Sequence, residues 1–233
     1  NHDMSMLPGL GGQFYIQDNP LLTSITHTTS TETFSLYWAY LCGLTGNHDM
    51  SMFPNLGGNF NVSLNSNLTG ITHTASTEVF SDYNVSFCDL TGNHDMSMLP
   101  GLGGNFQIWF NSALTGITHT ASTEIFSFYS VIDCDLTGNH DISMLTGLGG
   151  DFTVGANSNL TSITFPNNSL TFTDFSLQDN NLIGNLDLSM LSGLGGGFNC
   201  VQNPNLTGVT HAYTPNVFND YRAQSCDLTG NHD

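Results

Sequence analysis

The sequence predicts a repeat solenoid, mainly β, with a parallel sheet on one face and short helical or 3-10 turns between strands. Three observations predict it. First, Asp-Leu-Thr-Gly-Asn-His-Asp at residues 89–95 recurs at 135–141 and 227–233, with close copies at 43–49 and 181–187 and its tail at 1–3. Second, the copies are spaced by 46 residues, without insertion or deletion. Third, a Leu recurs inside each unit: Leu22, Leu44, Leu68, Leu90, Leu114, Leu136, Leu160, Leu182, Leu206 and Leu228 alternate in steps of 22 and 24 residues. Each unit therefore reads as two coils, a size at which one coil cannot bury its own apolar face and must stack on the next. Residues 1–233 form a single array of five units (1–46, 47–92, 93–138, 139–184 and 185–230) plus the start of a sixth at 231–233.

The short coil has the clearer pattern, Phe80-x-x-Tyr83-x-Val85-x-x-Cys88-x-Leu90-x-Gly92. Its apolar-x-apolar core has the period of a strand, one side chain inward and the next outward. The Cys position, held by Cys42, Cys88, Cys134 and Cys226, becomes Asn180 in one copy. The long coil carries an asparagine at the corresponding place, at Asn19, Asn65, Asn111, Asn157 and Asn203. A buried Asn amide can bond free backbone groups of adjacent turns, and Cys tolerates burial, so these residues form a candidate structural ladder. Asp95 to Gly104 begins with an N-cap residue and ends in paired glycines, which predicts one short helical turn and a bend. Thr118 to Glu124 reads as a polar turn in which Glu124 bonds free amides.

These coils resemble the leucine-rich-repeat family. The Leu-Thr-Gly after the Cys/Asn position is similar to the extended repeats of plants and bacteria, and Asn-Pro-Asn-Leu-Thr at 203–207 to bacterial surface repeats. The resemblance spans the whole chain and implies a right-handed solenoid whose sheet face is the usual ligand surface.

The formal charge is −18, from nineteen acids against Arg222 and no lysine. Such a surface repels nucleic acid. The absence of lysine excludes a P-loop and Schiff-base chemistry. No apolar run is long enough to insert in a membrane, and no signal peptide is visible. The chain starts and stops on the same Asn-His-Asp, which reads as a window on a longer array.

Candidate site residues separate by periodicity. His27, His48, His73, His94, His119, His140, His211 and His232 are expected to form one column, one per coil. Such a column is either a Zn or Cu ladder or simple packing. At the fourth repetition Phe165 and Leu186 replace both histidines, which favours packing. Asp3, Asp49, Asp95, Asp141, Asp187 and Asp233 persist in every copy, as helix N-caps or, with backbone carbonyls completing the shell, as calcium ligands. No other cofactor is implied. The cysteines read as reduced core residues, and Met6, Met52, Met98, Met144 and Met190 as core filler. No catalytic constellation is present, because serines and histidines recur in every unit and catalysis needs one asymmetric site.

Six Asn-x-Ser/Thr sequons occur, at Asn61, Asn67, Asn84, Asn159, Asn167 and Asn205, of which Asn67, Asn159 and Asn205 share one repeat position. The outward face of the sheet is expected to carry polar residues with non-repeating aromatics, Trp38, Tyr40 and Trp109 being the ligand-face candidates. Two functions compete. One is a structural segment of a long, acidic, extracellular fibre or stalk, glycosylated and partnered by itself through neighbouring repeats or end-to-end assembly. The other is a binding module of a cell-surface adhesin or receptor that recognises a glycan or a protein. Neither is an enzyme.

Overall fold

The computed structural model describes residues 1–213 and 217–229. His232, Asp233 and the start of the sixth unit lie outside the described residues. Ten parallel strands form one sheet in chain order: Gly12–Asn19, Phe34–Cys42, Leu56–Asn61, Phe80–Asn84, Gly104–Asn111, Phe126–Cys134, Gly150–Gly155, Phe172–Ser176, Gly196–Asn199 and Phe218–Arg222. A second side carries two-stranded parallel ladders: His2–Asp3 with Ile25–Thr26, Thr45–Asp49 with Asn67–Thr72, Thr91–Met96 with Ala113–His119, Thr137–Asp141 with Asn159–Thr164, and Gly184–Leu188 with Leu206–His211. The molecule is a parallel β-solenoid, as the repeat predicts.

The coil length differs from the sequence expectation. Phe60 pairs with Tyr83, Tyr83 with Phe106 and Phe106 with Tyr129, so every coil along the sheet has 23 residues. The alternation of 22 and 24 is local. Gly104 faces Phe126, but Asn105 faces Phe128, and this one-residue shift recurs at the start of other sheet strands. The same step, from an offset of 22 to one of 23, occurs at Gly46/Asn47 in the ladders on the other side. Gly104 is required at its shift: its φ is +60°, and a Cβ would lie 2.2 Å from the Ser81 carbonyl oxygen.

The 23-residue step explains the core. Phe14, Tyr37, Phe60, Tyr83, Phe106, Tyr129, Phe152, Phe175, Phe198 and Tyr221 are spaced by one coil each and stack ring on ring, with centroids 4.8 to 5.9 Å apart. This aromatic column runs the length of the sheet's inner side. Offset stacking of this kind adds roughly 0.5–1.5 kcal/mol per pair beyond burial alone. Beside it runs an aliphatic row, including Val62, Val85, Ile108, Val131 and Val154, all fully buried.

No helix occurs among the described residues. The segment expected to contain a helical turn makes two successive tight turns, Leu99 N–H to the Met96 carbonyl at 3.1 Å and Leu102 N–H to the Leu99 carbonyl at 3.2 Å. Pro100 and Gly101 sit between them, and a proline there cannot donate the bond that would extend the first turn. Asp95 therefore caps a turn instead of a helix: its Oδ1 accepts the Ser97 N–H at 2.9 Å, and Asp3, Asp49, Asp141 and Asp187 do the same two residues on. At the other corner Ser122, not the expected Glu124, satisfies the turn. Its hydroxyl donates to the Leu102 carbonyl at 2.7 Å and accepts the Glu124 N–H at 3.2 Å.

Candidate functional site

The ladder predicted from Asn and Cys is present, one residue per coil. Nδ2 of Asn111 donates to the carbonyls of Val85 at 2.9 Å and Trp109 at 3.0 Å, while its Oδ1 accepts the Leu90 N–H at 3.2 Å. Cys88 Sγ points at the equivalent carbonyls, Val62 at 3.4 Å and Ser86 at 3.6 Å. Asn65, Asn157, Asn203, Cys42, Cys134 and Cys226 repeat the geometry, each bonding the carbonyls 26 and 2 residues earlier, and Asn180 bonds those 26 and 3 residues earlier. Asn19, in the first coil, bonds only the Gln17 carbonyl. Asn180 donates to the Val154 carbonyl at 2.7 Å, so it does the work of the cysteine it replaces. All five cysteines are free, and burial pushes the Cys88, Cys134 and Cys200 thiols up to about 12.

The histidines do not form one column. His48 lies opposite Ile71 and His94 opposite Ile117, so successive histidines are out of register. They converge in pairs on a tyrosine of the aromatic stack. Nε2 of His27 and of His48 both lie 2.8 Å from the Tyr37 hydroxyl. His73 and His94 hold Tyr83 at 2.9 and 2.8 Å, and His119 and His140 hold Tyr129 at 2.9 and 2.8 Å. A phenol has one proton, so it donates to one imidazole and accepts from the other. Nδ1 of His27, His73 and His119 is enclosed without a partner. The economical arrangement leaves that nitrogen unprotonated, so these three donate through Nε2 and the tyrosine donates onward to His48, His94 or His140. Burial holds His27, His94 and His140 down at about 4 and His48 at about 3. The same burial lifts the tyrosines well above their ordinary range.

At the fourth repetition the whole triad is apolar, with Phe165, Phe175 and Leu186 in its three places. Phe175 keeps the stack on Phe152 at 4.9 Å but has no hydroxyl. The triads lie beneath the breaks between the two-stranded ladders. Between Ala113–His119 and Thr137–Asp141 this break is a cleft of about 270 Å³ bordered by His119, His140, Asn139 and Asp141. The fourth-repetition counterpart, bordered by Ile163 and Leu186, is smaller, about 140 Å³.

The methionines expected in the core point outward. Met6 is 86% exposed, and Met98, Met144 and Met190 are also exposed. The Asx turn at the preceding Asp rotates this position away from the interior, and Met4, Met50, Met96, Ile142 and Leu188, two residues earlier, fill the core instead.

Among the sequons, Asn67, Asn159, Asn205 and Asn167 are exposed. Asn61 is buried in the sheet face, and Asn84 is half-buried and bonds Ser63 and Ser86. Of the ligand-face candidates, Trp38 and Tyr40 adjoin, with ring centroids 5.6 Å apart, and Tyr15 stacks on Trp38 at 5.8 Å. Trp109 lies three coils further on, where its Nε1 donates to Ser130 at 2.7 Å. Between them the strands Leu56–Asn61 and Phe80–Asn84 stop early, and Asn61 and Asn84 each close an Asx turn on Ser63 and Ser86. The result is a polar stretch of the face, formed by Asn61, Ser63, Asn84 and Ser86.

Comparison of the chain with protein-family models, with curated proteins and with solved structures finds no match. The class defined by the fold is therefore that of parallel β-solenoids built from tandem repeats. No helix among the described residues is long and apolar enough to cross a membrane.

Proposed function

We propose that the chain is a structural segment of a long extracellular tandem-repeat array, a fibre or stalk, in which each coil completes the one before it. The supporting observation is the ladder. Interior carbonyls are satisfied by an amide or thiol 26 residues later, so a coil is fully hydrogen-bonded only when its neighbour is in place. The buried chemistry repeats with it, and repeated chemistry suits a scaffold better than a catalyst. The exposed row Asn67, Asn159 and Asn205 suits a glycosylated surface, and the acidic exterior suits a hydrated, self-repelling one. The buried Asn at the strand end also supports the resemblance to leucine-rich repeats.

The test is electron microscopy of chains carrying increasing numbers of the 46-residue unit. Particle length should grow by about 10 Å per unit, two coils at a strand spacing of about 4.8 Å. Particles whose length does not follow unit number would overturn the reading.

A second reading, a binding module on the same scaffold, is favoured by one observation. Units two and three differ at twelve of 46 positions, and seven of the twelve lie on the outer face of the ten-stranded sheet or at the residue that closes its strands.

A further inference from the structure

The changes between units two and three do not follow exposure. Ala75 and Thr77 are exposed and are identical in unit three, as Ala121 and Thr123. On the outer sheet face, by contrast, Ser63 becomes Trp109, Asp82 becomes Phe128 and Ser86 becomes Ile132. A scaffold under packing constraint alone would be as free to vary on its lateral turns as on its sheet. Concentrated variation on one face of an otherwise regular array marks individual surface chemistry there.

The charge of that face narrows the partner. The row Tyr15, Trp38, Asn61, Asn84, Gln107, Ser130 continues to Arg222 in 23-residue steps, and its neighbour runs from Gln17 and Tyr40 to Gln224. Neither row carries a carboxylate, although the chain has nineteen acids. Arg222 is already paired with Asp220 at 2.6 Å. The rows are flanked by acids, Asp82 and Asp151 on one side and Asp18 and Asp133 on the other. A polyanion would be repelled from the flanks and would find no free cation on the strip.

We infer that this strip binds a neutral glycan chain, with sugar rings on the Tyr15–Trp38–Tyr40 cluster and hydroxyls over the polar stretch at Asn61, Ser63 and Asn84. Tyr15 is 57% exposed, so its ring is available on the open side of the stack. Asn61 is only 5% exposed, yet its Nδ2 has no protein partner among the described residues and is not enclosed. It is a donor at the edge of the aromatic platform, held by its own Oδ1 bond to the Ser63 N–H at 2.9 Å. Apolar ring faces beside fixed amides match a sugar, which presents C–H faces and hydroxyl rims. Row residues recur about every 4.8 Å, close to the size of one sugar ring, so an unbranched chain laid along the axis meets a new residue at each step.

The two tryptophans of the chain, Trp38 and Trp109, both lie on this face, so intrinsic fluorescence reports on it alone. The experiment titrates the whole chain with cellohexaose, chitohexaose and maltohexaose, with heparin as the anionic control. A saturable change in tryptophan emission with at least one neutral oligosaccharide, and none with heparin, is expected. Tyr40→Ala, which keeps both tryptophans and the core residues but removes a ring 5.6 Å from Trp38, so that its own unliganded emission is the baseline, should weaken binding about tenfold, as loss of a central aromatic contact does. Asn61→Asp, which puts a charge on the strip, should weaken it as well, with the melting temperature of each variant measured alongside. No response to any of the three sugars, binding of heparin instead, or binding indifferent to Tyr40→Ala in a folded variant would overturn the inference. This proposal goes beyond the array reading, which is tested by particle length, so the two fail separately.

Discussion

The hydroxyl of Tyr83 lies 2.8 Å from Nε2 of His94, inside a column of aromatic rings that excludes water. With His73 at 2.9 Å on the other side, a single phenol proton serves two imidazoles. Its stability role is testable. Tyr83→Phe leaves both Nε2 atoms without their partner, and the expected loss is roughly 2–6 kcal/mol, about 1–3 for each stranded group. The triple change His73→Phe, Tyr83→Phe, His94→Leu copies Phe165, Phe175 and Leu186 and should recover to within about 1.5 kcal/mol of the parent, since it removes all the polar partners together. Urea unfolding of the three proteins measures both.

The histidines also make the fold acid-sensitive. His94 and His140 are held at about 4 in the folded chain against an ordinary 6.5. Between those values the unfolded chain binds more protons than the folded one, so stability rises with pH. The contribution is complete above 6.5 and is lost as pH falls towards 4, at roughly 3 kcal/mol per histidine at full effect. The carboxyls of Asp49, Asp95 and Asp187, held below their usual range by the hydrogen bonds of Ser51, Ser97 and Ser189, act in the same direction at lower pH. Urea midpoints should fall steadily from pH 7 to pH 4.5. In a variant with all three His–Tyr–His sets made apolar, the curve should be much flatter over that window.

Position 111 tests the ladder. Asn111→Ala strands the Val85 and Trp109 carbonyls and the Leu90 N–H, and should cost about 2–4 kcal/mol. Cys88→Asn should be close to neutral, within about 1 kcal/mol, because Asn180 already fills that role with bonds of 2.7 and 2.9 Å. Thermal melts of the two variants give opposite answers if the position tolerates only one chemistry.

The thiols should be inert while the chain is folded. Cys88, Cys134 and Cys200 are buried and protonated, with burial holding each near 12. Titration with Ellman's reagent at pH 8 should label none of these three in native buffer and all of them in guanidinium. Reducing agent should leave the melting temperature unchanged, because the free thiols form no disulfide to break.

The repeat makes the stacked architecture legible, and the Asn/Cys exchange at position 180 marks the ladder in the sequence itself. The leucines alternate in steps of 22 and 24 because they sit beside the register shifts, whereas the ladder residues and the aromatic column keep an even 23-residue step. The histidines looked like one column because each follows a leucine. The missing signal was Phe175, which loses its hydroxyl in the same repetition that loses both imidazoles. The inward and outward methionines could not be separated by spacing, since Met96 and Met98 differ only by the Asx turn that rotates the second one away. The polar stretch of the outer face is held by Asx turns at Asn61 and Asn84, which the pattern alone does not reveal.

The breaks between the two-stranded ladders have a mechanical consequence. Coils joined on both sides, as where Thr91–Met96 pairs with Ala113–His119, resist both shear and opening. Coils separated by a break, as between Ala113–His119 and Thr137–Asp141, lack that ladder, and away from the broad sheet they share the buried triad, the Asp135 N–H to the Leu114 carbonyl at 3.1 Å and the bridge of Ser122 with Leu145. Stiffness along the axis therefore alternates, and a bending load concentrates at every second interface. Opening that interface uncovers the imidazoles of the triad, so below about pH 6.5 softening of the rod is coupled to proton uptake.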